Sequence, residues 1–159
     1  MNWLLVTGRA GVDVGLLVTR LGLGFMFAYA HGWGKITAGP AMWEGLGKSI
    51  GSLGVPVFLP VFWGFMAAFS EFVGAIMLGL GLFHRVAAFL LLSTMVVATA
   101  MHATEAIEVA EGMTQAQAAW EHFQKKTSRP LEMAIIFAGL MIIGPGRVSA
   151  DHLIARQKA

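Results

Sequence analysis

The sequence contains no cysteine. That removes thiol–disulfide exchange, thiolate metal sites and iron–sulfur clusters, and it argues against membrane oxidoreductases that work through a CxxC pair. Charge is scarce as well: Asp, Glu, Lys and Arg make up 13% of 159 residues, and the formal net charge is +2. The basic residues are scattered, so there is no phosphate-tracking patch and nucleic acid is excluded as a partner. No nucleophile elbow, P-loop or dinucleotide glycine fingerprint occurs at a strand–helix junction, and GLGFMFAYAHGWGK is glycine-rich but helical in pattern. The ten methionines form no M-x-x-M or M-x-M cluster and are expected to fill gaps in packing rather than bind copper. At the N-terminus, Arg9 and Asp13 interrupt MNWLLVTGRAGVDVGLL. The basic–apolar–small order of a cleaved leader is missing, and the first helix is expected to be retained.

What is abundant is apolar side chain: 57% of residues are hydrophobic and the mean hydropathy is +0.70. This composition predicts an all-α polytopic membrane protein, a single domain over 1–159 with four transmembrane helices near 11–31, 60–83, 86–102 and 130–143. Glycines at 11, 15, 22 and 24 are expected to thin the first helix for a close neighbour. Residues 32–60 read as a loop containing a short amphipathic surface helix, AMWEGLGKSIGSLG, with Trp33, Trp43 and Trp63 forming an aromatic belt. Trp3 and Arg9 form a similar interfacial flank. Residues 103–129 carry Glu105, Glu108, Glu111, Glu121, Lys125, Lys126 and Arg129 and are expected to form an extramembrane helical segment anchored by Trp120 and Phe123. Pro130 suits a helix start, Gly144 and Pro145 a helix stop, and the tail reads as polar.

Two charges fall inside predicted spans. Arg20 and Glu71 lie about 16 and 18 Å from the same end of their helices at 1.5 Å per residue, and an intramembrane ion pair between them is expected. Such a pair either locks two helices or lines a cavity. A second constellation gathers at that end: His31 closes the first helix, His102 closes the third and Glu132 lies in the first turn of the fourth, with Lys35 and Glu105 nearby in sequence. Imidazoles and carboxylates at one level suit a quinone ring or a metal ion, or are simply solvated helix ends. Neither a metal nor haem held by His31 and His102 is expected. At the opposite end, Arg85, Arg147 and Asp151 are expected to form a structural polar cluster with Asp13 nearby. Basic residues are tied between the two ends, with Arg9, Arg85, Arg147, Arg156 and Lys158 at one and Lys35, Lys48, Lys125, Lys126 and Arg129 at the other. Both termini are assigned to the cytoplasm.

The stretches RLGLGFMFAYAHGWGK from Arg20, SEFVGAIMLGLGLFHR from Ser70, the third helix ending at His102 and GPGRVSAD from Gly144 together resemble the DoxX family of small bacterial and archaeal membrane proteins. The resemblance implies a four-helix bundle of the plasma membrane with Arg20, Lys35, Glu71, Arg85, Arg147 and Asp151 at the family's recurring polar positions. It also implies redox association, since some members look like membrane subunits of quinone-linked oxidoreductases, including thiosulfate-oxidising ones, and others accompany redox-stress partners. The 103–129 segment departs from the pattern. The expected function is a redox-associated membrane subunit that binds a quinone through His31, Lys35, His102 and Glu132. The alternative is a non-catalytic accessory subunit whose 103–129 segment docks on a protein partner or a second copy. A transporter is disfavoured because four spans without an inverted repeat offer little machinery for alternating access.

Overall fold

A computed structural model describes residues 8–112 and 120–157. Expectations for Trp3, Lys158 and the side chains of Glu108 and Glu111 lie outside the described residues. No strand occurs among those residues, and the chain is a succession of helices. Helix α1 runs Arg9–Ala38, with a wider π turn at Phe27–Gly32. Helix α2 spans Pro40–Lys48 and continues as a 3₁₀ turn at Ser49–Leu53. Helix α3 covers Pro60–Leu80 with a π turn at Ser70–Gly74. Helices α4, His84–Gly112, α5, Ser128–Ile143, and α6, Ala150–Gln157, complete the chain.

Three of these, α1, α3 and the His84–Ile107 part of α4, are long and apolar enough to cross a bilayer. The fourth expected span, 130–143, corresponds to α5, which is shorter and more charged than these three, so the count of four is not exact, yet α5 runs back from Lys126, beside Glu105, to Gly144, beside Arg85. The 16 residues of α5 extend about 24 Å as an ideal helix, and the helical turns preceding it carry Glu121, Lys125 and Lys126, which cut the apolar run short. Instead α5 packs along α4 and completes the core with Phe137, Ala134 and Leu140. Pro130 lies inside α5 and not at its start. In an unbroken α-helix its ring would crowd the carbonyl of Lys126, and the backbone widens just upstream into a π turn at Phe123–Thr127.

Two other boundaries shift. The third helix does not stop at His102: Ala103, Glu105 and Ala106 are good helix formers with no breaker before Gly112, and polarity alone does not end a helix. The first helix does not stop at His31 either, because Gly32 and Gly34 are tolerated in a packed helix, and Gly39 at φ 85° ends it.

Small residues determine how these helices meet. Gly24, Ala28 and Gly32, four residues apart, are buried on one face of α1. A Cβ on Gly24 would overlap the Ala75 carbonyl and Gly79, and one on Gly32 would overlap the Glu71 carbonyl and Phe72. Contact through such a stripe is the membrane substitute for a hydrophobic driving force. Gly15 and Gly22 have open space instead. The region read as a loop is largely helical: α2 lies against α3 as a tight antiparallel pair, with Gly47 facing the Pro60 carbonyl and Gly64 facing the Trp43 carbonyl. Glycines that lower helix propensity here create the contact that holds the helix. Within α4, Ser93, Thr94 and Thr99 donate to the carbonyls of Phe89, Leu91 and Met95, which satisfies their hydroxyls without a partner helix.

The end opposite Lys35 is closed by polar groups. Gly81 at φ 66° terminates α3 directly against the Arg20 guanidinium, and Phe83 takes φ 43°, a conformation uncommon for a residue with a side chain. Asp151 accepts the backbone N–H groups of Phe83 and His84 at 2.8 and 2.9 Å. It thereby stabilises the turn and the start of α4 together. Asp13 accepts the Arg147 N–H at 2.8 Å. At this end the Asp13 and Asp151 carboxylates hold backbone N–H groups, while the Arg85 and Arg147 side chains are exposed.

The glycine contacts make a paired prediction. Gly64→Ala should lower stability by about 1–3 kcal/mol because the added methyl has no room, whereas Gly22→Ala should be neutral or stabilising by up to about 1 kcal/mol. Thermal unfolding in detergent micelles, followed by circular dichroism, measures both; equal effects would contradict the packing described.

Candidate functional site

The two π turns of α1 and α3 lie against each other. Each admits one extra residue into its turn, a feature common at functional sites, and between them the backbones touch at Gly32 and Glu71. Lys35, three residues beyond Gly32, then reaches Glu71: Nζ donates to Oε2 at 2.5 Å, and the Glu71 side chain is 4% exposed against 28% for Lys35. The anticipated Arg20–Glu71 pair does not form. Because α1 is continuous to Ala38 and antiparallel to α3, Gly24 is level with Gly79 and Gly32 with Glu71. That register leaves Arg20 at the Gly81 end, where it donates from Nε to the Leu16 carbonyl at 3.3 Å and from Nη2 to the Val148 carbonyl at 2.5 Å. Lys35 is about 22 Å further along the helix and is the cation Glu71 meets. Trp43 Nε1 donates to the Lys35 carbonyl at 2.8 Å, tying α2 to the same point.

Beside the ion pair, α2, α3 and α4 line an open-sided cavity of about 610 Å³. Its wall is mostly apolar, with Phe62, Met66, Phe89 and Leu90 among the lining residues, and its polar lining includes Lys35, Glu71, Ser49, Ser70 and His102. Ser49 and Ser70 are already engaged, with Met101 Sδ and the Met66 carbonyl respectively. Trp63, another lining residue, has its Nε1 buried with no partner. A mostly apolar cavity with a few convergent polar groups has the character of a small-molecule site.

Of the four residues expected to bind a ligand, Lys35 and His102 line this cavity, and His31 and Glu132 do not. His31 immediately precedes the Gly32 contact, so it is turned about 100° away; it is exposed, with its ring against Phe27 at 5.0 Å. Glu132 is exposed and lies past the first turn of α5, since that helix begins at Ser128. His102 is joined instead to Glu105, Nδ1 to Oε2 at 3.1 Å, and the same oxygen lies 3.7 Å from both His122 Nε2 and Lys126 Nζ. Among the described residues, no group of three or more His, Asp or Glu is arranged to hold a metal ion. Ser70 and Trp63 also line the cavity, Ser70 not having been singled out from sequence and Trp63 having been read only as part of the aromatic belt. Their signal was positional, since Ser70 precedes Glu71 and Trp63 is two turns earlier on the same helix.

The pairing can be checked energetically. Lys35→Met and Glu71→Gln should be coupled by more than about 1 kcal/mol, since either change alone strands a largely buried charge. Arg20→Met and Glu71→Gln should add within about 0.5 kcal/mol. Denaturant or thermal unfolding of both double-mutant cycles in micelles reports the difference.

No curated protein and no solved structure matches the chain. The DoxX family model matches residues 15–104, a stretch that contains both π turns, the Lys35–Glu71 pair and the cavity lining. With that match over more than half its length, the chain belongs to the DoxX family.

Proposed function

We propose that the cavity between α2, α3 and α4 binds an amphipathic ring of the quinone class, and that the protein is a membrane subunit of a redox assembly in a bacterial or archaeal plasma membrane. One observation carries the reading: a charged pair, Lys35–Glu71, borders a mostly apolar cavity that also contains the unpartnered Trp63 Nε1. A volume of about 610 Å³ suits a ring of this kind, since ordinary ligand pockets fall at about 300–1,000 Å³. Lys35 and Trp63 have hydrogen-bond donors for ring carbonyls, and Phe62 and Phe89 supply apolar walls. A quinone supplies two-electron, two-proton chemistry when bound. His102 at the cavity edge, hydrogen-bonded to Glu105 at 3.1 Å, is the group suited to exchange a proton with it. Electrons in this reading come from a partner of the assembly.

A second reading is favoured by the Trp120–Phe123 stack, with Trp120 60% exposed. Exposed stacked aromatics suit a docking face, and the protein would then be an accessory subunit. Organic extraction of protein purified from native membranes, followed by mass spectrometry, separates the two. Bound quinone that falls at least about fivefold in Lys35→Met, at unchanged helicity, is the expected result; a ligand-free wild type with a stoichiometric partner overturns it.

Both termini are assigned to the cytoplasm. Lys35, Lys48, Lys125 and Lys126 each have a carboxylate within 3.7 Å, and the hydrogen bond from Lys48 holds the Glu44 carboxyl below its usual range. Among the described residues, Arg129 at the same end and Arg9, Arg85, Arg147 and Arg156 at the other have no such partner, so four unpaired cations stand against one and their end attracts the anionic inner leaflet more strongly. A chain without cysteine permits a clean test. Gly45→Cys should react with an impermeant maleimide in intact spheroplasts and Gln157→Cys only after permeabilisation; the reverse pattern overturns the assignment.

A further inference from the structure

The tail after Gly146, read from sequence as polar, is a built element. Ser149 caps α6: its Oγ accepts the His152 N–H at 3.2 Å, and its carbonyl accepts the Leu153 N–H at 3.2 Å. The Asp151 N–H also donates to the Gly81 carbonyl at 3.0 Å, so α6 is bonded to the α3–α4 turn in both directions. Helix α6 is held at one end of the bundle while its apolar residues stay uncovered: Leu153 is 62% exposed and Ile154 42%.

Three arginines at this end sit beside such residues. Arg85 lies between exposed Phe83 and Val86, Arg147 adjoins exposed Val148, and Arg156 follows Leu153 and Ile154 on α6. The two carboxylates available to neutralise them are engaged elsewhere: Asp13 with the Arg147 N–H, Asp151 with the N–H groups of Phe83 and His84. None of the three arginines is in an ion pair among the described residues, and a guanidinium carries five donors that match phosphate oxygens. Apolar side chains reaching the acyl boundary, with guanidinium groups beside them at headgroup level, are the physical signature of an interfacial element.

We propose that α6 and the α3–α4 turn form a binding surface for anionic phospholipid headgroups. Arg85, Arg147 and Arg156 contact phosphate there, and Leu153 and Ile154 enter the interface. The surface is separate from the ring-binding cavity, and its binding in detergent does not depend on which way the protein is oriented in a membrane.

The test is native mass spectrometry of the full-length protein in detergent, titrated with phosphatidylglycerol or phosphatidylcholine. Wild type should retain phosphatidylglycerol preferentially, and each Arg→Gln change at 85, 147 or 156 should weaken that retention by about fivefold. The retention should also fall with added salt. Lys48→Gln and Lys125→Gln, which remove ion-paired cations from the opposite end, should leave it unchanged. Helicity by circular dichroism monitors folding. If the triple arginine variant does not fold, Arg147→Gln and Arg156→Gln, both exposed and unpaired, make the same comparison singly. Equal retention of the two lipids by wild type, undiminished phosphatidylglycerol binding in the arginine variants, or an equal loss in the lysine variants would each overturn the proposal.

Discussion

The closeness with which α1 and α3 approach through Gly24, Ala28 and Gly32 sets the geometry of the rest of the molecule. Between apolar helices in lipid there is no hydrophobic gain from contact, so association rests on van der Waals fit and on satisfying polar groups. A stripe of small residues allows backbone to touch backbone, and a backbone contact admits few alternative registers. Once Gly32 meets the Glu71 carbonyl, the places of the charges buried between these two helices follow. Lys35 arrives at Glu71, and Arg20 arrives at the Gly81 turn.

The two buried basic residues are accommodated differently. Lys35 has a carboxylate and keeps part of its side chain exposed, which suits a residue bordering a cavity. Arg20 is fully buried and bonds to main-chain carbonyls from α1 and from the segment after α5. Its guanidinium bonds α1 to the segment after α5 and packs against Gly81, where α3 ends. The π turns belong to the same economy of contacts, since widening α1 and α3 at one level brings Gly32 and Glu71 together and leaves room beside them for the cavity.

Much of the architecture was legible in the residues themselves. Composition marked a multi-pass helical membrane protein, and the resemblance carried by the Arg20, Ser70 and Gly144 stretches agrees with the family model that matches residues 15–104. The intramembrane carboxylate was legible too, because a Glu among apolar residues needs a partner. Helix ends were less legible. Gly32 looked like a terminator because glycine lowers helix propensity, yet in a packed membrane helix the same residue is a contact. Likewise the turn into polar sequence at Ala103 suggested a boundary, although nothing there breaks the hydrogen-bond ladder.

The sequence by itself determined which groups had to be satisfied: Arg20, Glu71 and Lys35 are expensive in a low-dielectric interior whatever the fold. Only the tertiary structure decided who satisfies whom. Depth counted from presumed helix ends shifts by about 1.5 Å for every residue of error, and extending α1 from His31 to Ala38 moved its charges by more than a helical turn relative to α3. Partner choice depends on register, and register depends on where backbones can touch. That property belongs to two helices together, and the composition of either one alone does not contain it.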